Sequence, residues 1–491
     1  MRIETTEIYQ GNSKVIRFFE QISAIPRESG KEKAISDFIV NFAHKRECTV
    51  KQDSSYNLII RKAASKGYEK APTVMIQGHL DMVCEKNRST DHDFSKDPIR
   101  LRQDGDNIYA VATTLGADNG LAIAYAMALL DSENLEHPEL EIVFTTEEET
   151  SMMGALNLDA NGLKGRMMIN LDSDREGILY ASCAGGASSS LTLPIHWEDI
   201  LTERTLYKIK LSGFKGGHSG DDIIYERGNA NKILGRILDD LRSSIKYDIV
   251  TLNGGTKPNA IPRESETILL IEERDIADIR TLIANWNQLL REEYMEIDPS
   301  IRVEGIAGEY CTIPHKCFST STKNKVIDAL LLLPNGILSM HPSLEKLVRS
   351  SINLGIVTTM ESEVQIECLV RSSVRTLRDH TLNQVKVLAE YLGCGFHLDS
   401  YFPEWPYRHE SKIRDIFQQV YVAKYGKQME IKAVHAGLEC GYFMEKMPYL
   451  DTVSYGPDIF NMHTPNEHFS ISSVERTWDF LIDVLRAIKD S

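Results

Sequence analysis

The strongest constraint on this chain's fold is a rhythm in its first third. Short, unbroken apolar runs alternate with stretches of helical period, and each run stops just before a histidine or a carboxylate. Residues 73–77, 140–145 and 167–171 are such runs. Their length suits strands buried on both faces better than helices. Residues 15–25 and 33–42 carry amphipathic helical spacing, and residues 121–130 read as a buried helix. Buried strands alternating with helices predict an α/β fold, with a mainly parallel sheet flanked by helices.

The pattern changes after Gly185 and Gly186. A strand of alternating character passes through Leu206, Tyr207, Ile209 and Leu211, followed by helical periods over 229–241 and 279–290 and strands near Ile249 and over 268–271. A second series of similar make-up spans about 301–392, with helices over 325–333 and 382–392. This predicts an α+β domain with two related halves in tandem. The last hundred residues return to the first style. Their closing helix is predicted to start at Ser472, with Glu475 in capping-box position and an apolar stripe of Val474, Trp478, Leu481, Leu485 and Ile488. The expected organisation is an α/β domain of 1–187 and 399–491, interrupted by an inserted lid of 188–398.

Charge narrows the partners. With 55 Lys and Arg against 71 Asp and Glu, the formal charge is 55 − 71 = −16, which repels nucleic acid and anionic membranes. No segment approaches the roughly 20 apolar residues that a membrane helix needs, and the first residues carry Glu4 and Glu7 without an apolar block, unlike a secretory leader. Cys48, Cys84, Cys183, Cys311, Cys317, Cys368, Cys394 and Cys440 are scattered and form no CxxC pair. Such scatter predicts reduced thiols in a cytoplasmic protein and gives no support to a thiolate metal site.

The chemistry gathers at the ends of the apolar runs. His79 and Asp81 follow 73–77, Asp118 and Asn119 precede 121–130, and Glu147, Glu148 and Glu149 follow 140–145. Asp172 follows 167–171, and His463 lies in a loop after a strand near Val453. Singly, each has an ordinary reading as a turn, a cap or a solvated residue. Together they would meet in one crevice, because the carboxyl ends of parallel strands share an edge. Imidazole nitrogen and carboxylate oxygen are zinc donors, and also suit Co2+ or Mn2+. Two ions sharing a carboxylate activate water and polarise a carbonyl, and a glutamate beside a ligand can shuttle the proton.

In this order the residues resemble the di-zinc exopeptidases, the clan of carboxypeptidase G2-like, aminoacylase-like and carnosinase-like enzymes, and most closely the aminoacyl-histidine dipeptidase (peptidase D) family. The resemblance rests on the segments 77–83, 114–120, 215–220, 259–264 and 435–441, and extends over essentially the whole chain. It implies two Zn2+, with His79 and Asp172 on one ion, Glu149 and His463 on the other, and Asp118 bridging both, joined to Asn119 by a cis peptide. It further implies that Asp81 orients His79 and that Glu148 is the general base and later the acid. The family has a pair of glutamates where this chain has three. Aligning Gly154 and Ala155 places that pair at Glu148 and Glu149.

For the lid, the resemblance implies that His218 hydrogen-bonds the oxyanion on domain closure, in some relatives from a partner subunit, while Asn259 and Arg263 hold the carboxylate of a small peptide substrate. The expected reaction is hydrolysis of Xaa-His dipeptides without a covalent intermediate, with a homodimer formed through the lid. A tripeptidase, an N-acyl-amino-acid hydrolase of the same clan and an inactive binding protein are the alternatives.

Overall fold

A computed structural model describes residues 8–200, 204–308, 315–342 and 347–490. Cys311 lies outside them. The chain divides into two compact units, Met1–Ser182 with Tyr407–Ala433 and Glu439–Ser491, and Cys183–Pro406 with Val434–Leu438. The boundaries differ from the expected 187/188 and 398/399 because each of those cuts a strand, Gly185–Pro194 and Gly395–Phe402. Gly185 and Gly186 do not break the chain. They let it pass close to a neighbour, since a Cβ on Gly186 would enter the Phe402 ring and one on Gly185 would sit 2.5 Å from the Glu404 nitrogen.

The first unit is built on an eight-stranded sheet in the order Thr49–Gln52, Leu58–Lys62, Leu140–Thr145, Val74–His79, Met167–Asn170, Asp451–Ser454, Ile178–Cys183, Glu430–Val434. The four central strands, from Leu140–Thr145 to Asp451–Ser454, are parallel. On one side Leu58–Lys62 and Thr49–Gln52 continue antiparallel, and on the other Ile178–Cys183 also runs antiparallel to its neighbour. The sheet is therefore mixed, and the predicted mainly parallel pairing describes only its centre. The central runs are apolar throughout because both faces are covered. Val74–His79 and Leu140–Thr145 are buried at every position. Helices Lys14–Ser23, Ala117–Asp131, Lys412–Tyr425 and Ile471–Ala487 share their apolar cluster. Ala117–Asp131 is buried at all positions from Leu121 to Leu130, which explains its lack of a polar face.

The closing helix starts two residues earlier than its sequence suggests. Ser470 is the cap, accepting the Ser473 amide, and Glu475 instead accepts the Tyr9 hydroxyl at 2.7 Å. Asp106 takes over the role expected of a capping-box glutamate, binding the Ser472 amide at 3.0 Å and the hydroxyls of Ser470 and Ser472 at 2.6 and 2.7 Å.

The second unit holds a nine-stranded antiparallel sheet whose helices Ala230–Ser244, Ile276–Tyr294, Thr320–Leu332 and Arg375–Leu392 join one core with alternate strand residues such as Tyr207, Ile209 and Leu211. Leu206, just before them and in the opposite phase of the alternation, belongs to a small cluster without these helices. The sheet contains two copies of a strand–helix–strand–strand–helix–strand unit. One copy has strands Thr205–Ser212, Tyr247–Gly254, Ser265–Ile271 and Arg302–Ala307, and the other has Gly185–Pro194, Val348–Thr359, Glu363–Ser372 and Gly395–Phe402. Numbered within each copy, the strands lie 4-1-3-2 and then 2-3-1-4, so the copies meet through their second strands, where Gly254 pairs with Val357. The copies are interleaved rather than consecutive. The first strand of the second copy precedes the whole first copy, which corrects the tandem reading of 301–392.

Candidate metal centre

Three parallel neighbours deliver most of the site. His79 ends its strand, Glu148 and Glu149 lie in the turn after Leu140–Thr145, and Asp172 lies two residues beyond Met167–Asn170. Asp118 enters at the start of helix Ala117–Asp131 through a cis peptide to Asn119, as the resemblance implies. The Asn119 side chain ties two strand ends together, accepting the His79 amide at 3.1 Å and donating to the Leu171 carbonyl at 2.9 Å. Gly78 makes this approach possible, because a Cβ there would overlap Asn119 Oδ1 and lie 2.6 Å from Ala122 Cβ.

His79 Nε2 faces Asp118 Oδ1 at 3.2 Å and Asp172 Oδ1 at 3.7 Å. On the far side of Asp118, His463 Nε2 lies 3.3 Å from Oδ2 and 3.1 Å from Glu149 Oε2. The donor atoms form two triads that share one carboxylate, His79–Asp118–Asp172 and Asp118–Glu149–His463, and Glu148 joins His79 and Glu149 in a third grouping. Glu149 Oε1 is buried without a hydrogen-bond partner, which is costly for a carboxylate unless a cation meets it. The donor set therefore fits divalent ions.

Electrostatics agree. Burial opposes charge on His79, yet hydrogen bonds to Asp118, Asp172 and Asp81 hold its pKa well above the usual imidazole value. Hydrogen bonds to Asp118 and Glu149 push His463 up to about 11 against burial. Burial raises Glu148, Glu149 and Asp172. For Asp118, burial works in the same direction but is overcome by the two histidines, which leave it low. So many carboxylates in one buried place demand positive charge, from protons or from metal.

Asp81 is an acceptor for four groups. It receives His79 Nδ1–H at 3.2 Å, the amides of Glu148 and Glu149 at 3.1 Å each, and the Ser29 hydroxyl at 2.7 Å. The contact fixes which imidazole nitrogen faces the triads and also the turn that carries both glutamates. Glu147 goes elsewhere. It has φ 55°, its amide is held by Glu32 at 2.9 Å, and its carboxylate takes the Ser151 hydroxyl at 3.1 Å.

Several contributing residues carried no signal in the sequence. Glu439 is wholly buried behind the strand ends, accepting Gln77 Nε2 and Thr145 Oγ1 at 2.6 Å each, while Gln77 in turn accepts Asn170 Nδ2 at 2.5 Å. Burial pushes Glu439 up to about 8. Its segment was recognisable, but nothing in it distinguished a buried acid from a surface one.

In the second unit, His218 pairs through its backbone with Ala260 and is half-buried. Its Nδ1 lies 3.2 Å from Asp221 and its Nε2 is 3.1 Å from an Arg371 amino group. Arg371 can only donate, so Nε2 is the acceptor in this contact, while Nδ1 faces both the carboxylate of Asp221 and, at 3.4 Å, its amide. Arg371 is buried, also donates to Ser219 Oγ at 3.3 Å, and has no ion pair among the described residues. Asn259 and Arg263 are exposed.

Residues 75–487 match Peptidase family M20/M25/M40. The chain is 34% identical over 472 residues to the cytosol non-specific dipeptidase of Escherichia coli (strain K12), with 96% of each covered. Among solved structures, aminoacylhistidine dipeptidase from Vibrio alginolyticus matches with a TM-score of 0.89 and 36% identity over 99% of this chain and 98% of that one. Aminopeptidase PepT from Bacillus cereus ATCC 10987 shares the fold, with a TM-score of 0.56 and 14% identity over 97% and 98% of the two chains.

Proposed function

Since the chain belongs to Peptidase family M20/M25/M40, we propose that it is a metallo-dipeptidase with two Zn2+ ions, acting on Xaa-His and related dipeptides. The observation that carries this reading is the pair of donor triads sharing Asp118. His79 and Asp172 would hold one ion, Glu149 and His463 the other, and Asp118 both. When bound, the ions supply Lewis acidity that activates water and polarises the scissile carbonyl.

The chain's own residues complete the chemistry. Glu148 takes the proton of the attacking water and returns it to the leaving amine. Its buried setting raises its affinity for a proton, which suits a group that must hold one between the two steps. Asp81 keeps His79 Nε2 directed at the triad. We assign His218 to the oxyanion of the tetrahedral intermediate, a role that requires Nε2 to exchange its bond from Arg371 for a proton it can donate. Asn259 and Arg263 are candidates for the substrate carboxylate, and Arg371 joins them because its buried guanidinium forms no ion pair among the described residues.

The reading also places the protein in the cytoplasm as a homodimer. Cys48, Cys84, Cys317, Cys368 and Cys394 form no disulfide among the described residues, and no helix among the described residues is long and apolar enough to cross a membrane. The exposed apolar residues Val387, Tyr391 and Leu398 lie on helix Arg375–Leu392 and edge strand Gly395–Phe402 of the second unit. They are the surface on which a dimer would be built. Elemental analysis of gently purified protein, hydrolysis of Xaa-His dipeptides, tripeptides and N-acyl amino acids, and sedimentation together test the reading. A metal-free, fully active enzyme would overturn it.

A further inference from the structure

The loop that delivers the shared carboxylate is gripped on both of its polar edges by buried charges of opposite sign. Glu467 accepts the amides of Leu115 and Gly116 on one oxygen, at 2.8 and 2.9 Å, and those of Ala117 and Asp118 on the other, at 2.7 and 3.3 Å. Arg27 donates to the Gly116 carbonyl of the same loop, and its other amino group reaches the carbonyls of Asp81 at 3.0 Å and Leu80 at 3.4 Å. Both side chains are 2% exposed. Neither is hydrogen-bonded to the other, and each is spent on backbone. Room for the guanidinium comes from Gly116, at φ 69°, and Gly120, where a Cβ would lie 2.6 Å from an Arg27 nitrogen.

The two charges connect different partners to that loop. Glu467 lies four residues after His463, in the turn of a hairpin formed by Ile459–Phe460 and His468–Ser470. The mouth of that turn is fixed by His468, stacked against Tyr109 and Phe460 at ring distances of 4.4 and 5.0 Å. Arg27 holds the carbonyls that follow His79.

We propose that Glu467 and Arg27 are positioning residues that set how Asp118 is divided between the two ions. Glu467 holds it in register with His463, and Arg27 holds it in register with His79. The proposal rests on the two-ion reading of the site. A carboxylate with two acceptor oxygens can bind four amides, whereas a carboxamide turns an NH2 toward two of them. Glu467→Gln therefore loosens the His463 side of Asp118 first. A lysine at 27 has one ammonium where arginine has a fork, and cannot span both loops in the same way.

The test is calorimetric titration of the full-length chain, stripped by chelator, with Zn2+ and separately with Co2+, whose visible spectrum reports ligand geometry. The wild-type chain should bind two ions. Glu467→Gln should weaken one by about tenfold or more, the size usual for groups that orient ligands, while the other changes by about threefold at most. In a His463→Ala background, which removes a ligand of the second ion, Glu467→Gln should have no further effect on the remaining ion, whereas Arg27→Lys should still weaken it. Wild-type affinities at both ions in Glu467→Gln overturn the proposal, as does an equal loss at both with an intact far-UV spectrum. Should Glu467→Gln not fold, Arg27→Lys decides, since unchanged binding in that folded variant also overturns it. A wild-type chain that binds fewer than two ions overturns the two-ion reading itself, and with it the proposal.

Discussion

The two units use their sheets in opposite ways. In the first, parallel strands are buried on both faces and bring His79, Glu148, Glu149 and Asp172 to one edge, where Asp118 from a helix start and His463 from a hairpin turn join them. In the second, an antiparallel sheet covered by helices on one face carries Arg371 near the end of a ten-residue strand, while His218 lies on a two-residue strand of a separate small sheet, paired with Ala260–Ile261. Parallel strands of one sheet edge all point the same way, so their ends make a dense cluster of donors that suits multivalent ions. Antiparallel strands alternate in direction, so each edge receives fewer ends and the residues that could serve a substrate are spread more thinly.

If this division of labour holds, damage in the first unit and damage in the second should be separable by metal content. The largest effect is expected for Glu148→Gln, which removes the proton acceptor but not an assigned ligand. Turnover should fall by about 1,000-fold with two ions retained, and the neighbouring Glu149→Gln should instead lose or weaken one ion. Zinc stoichiometry and kcat measured side by side check the pair, and metal loss with Glu148→Gln would exchange their roles. His218→Ala should lower kcat by about 100-fold while both ions stay. Loss of metal from this variant would erase the contrast between the units. Arg371→Lys should raise KM for dipeptides by about tenfold, because an ammonium cannot form the paired bonds of a guanidinium with a carboxylate. An unchanged KM would return the carboxylate to Asn259 and Arg263. The smallest effect belongs to Glu147→Gln, about twofold or less in kcat, since its carboxylate accepts the Ser151 hydroxyl and belongs to none of the donor groupings. A large loss there would mean that the glutamate register is off by one.

The same contrast explains what could be read in advance. Runs such as 140–145 are legible because burial on both faces leaves an unbroken apolar string, and a polar residue just after such a string has few places to go. His79, Asp118, Glu148, Glu149, Asp172 and His463 were all visible by that logic together with the family resemblance. Glu467, Arg27 and Glu439 were not, since their partners are backbone amides, carbonyls or side chains far away in sequence, and a buried acid looks like a surface acid until the chain folds. Ser472 was a plausible helix start, but Asp106, some 366 residues away, holds its amide and moves the cap to Ser470. The tandem reading of the second unit failed for a related reason. Alternation identifies a strand but not its neighbour, and Gly185–Pro194 pairs with Glu363–Ser372 across the whole of the first copy.

That interleaving governs the order in which the molecule can assemble as it is synthesised. The copy from Thr205 to Ala307 has all four of its strands in one continuous stretch, so it can close while the rest of the chain is still being made. Strand Gly185–Pro194 emerges before it and must wait for Glu363–Ser372 and Gly395–Phe402 before either edge is paired. The first unit waits longer still, because Asp451–Ser454 completes its parallel centre beside Met167–Asn170 and His463 follows later. Long-range closures of this kind are slow and leave strand edges open meanwhile. A nascent chain halted between residues 455 and 462 would contain the strands of both large sheets but only one of the two donor triads, so metal in full stoichiometry becomes a sign that synthesis has passed that point.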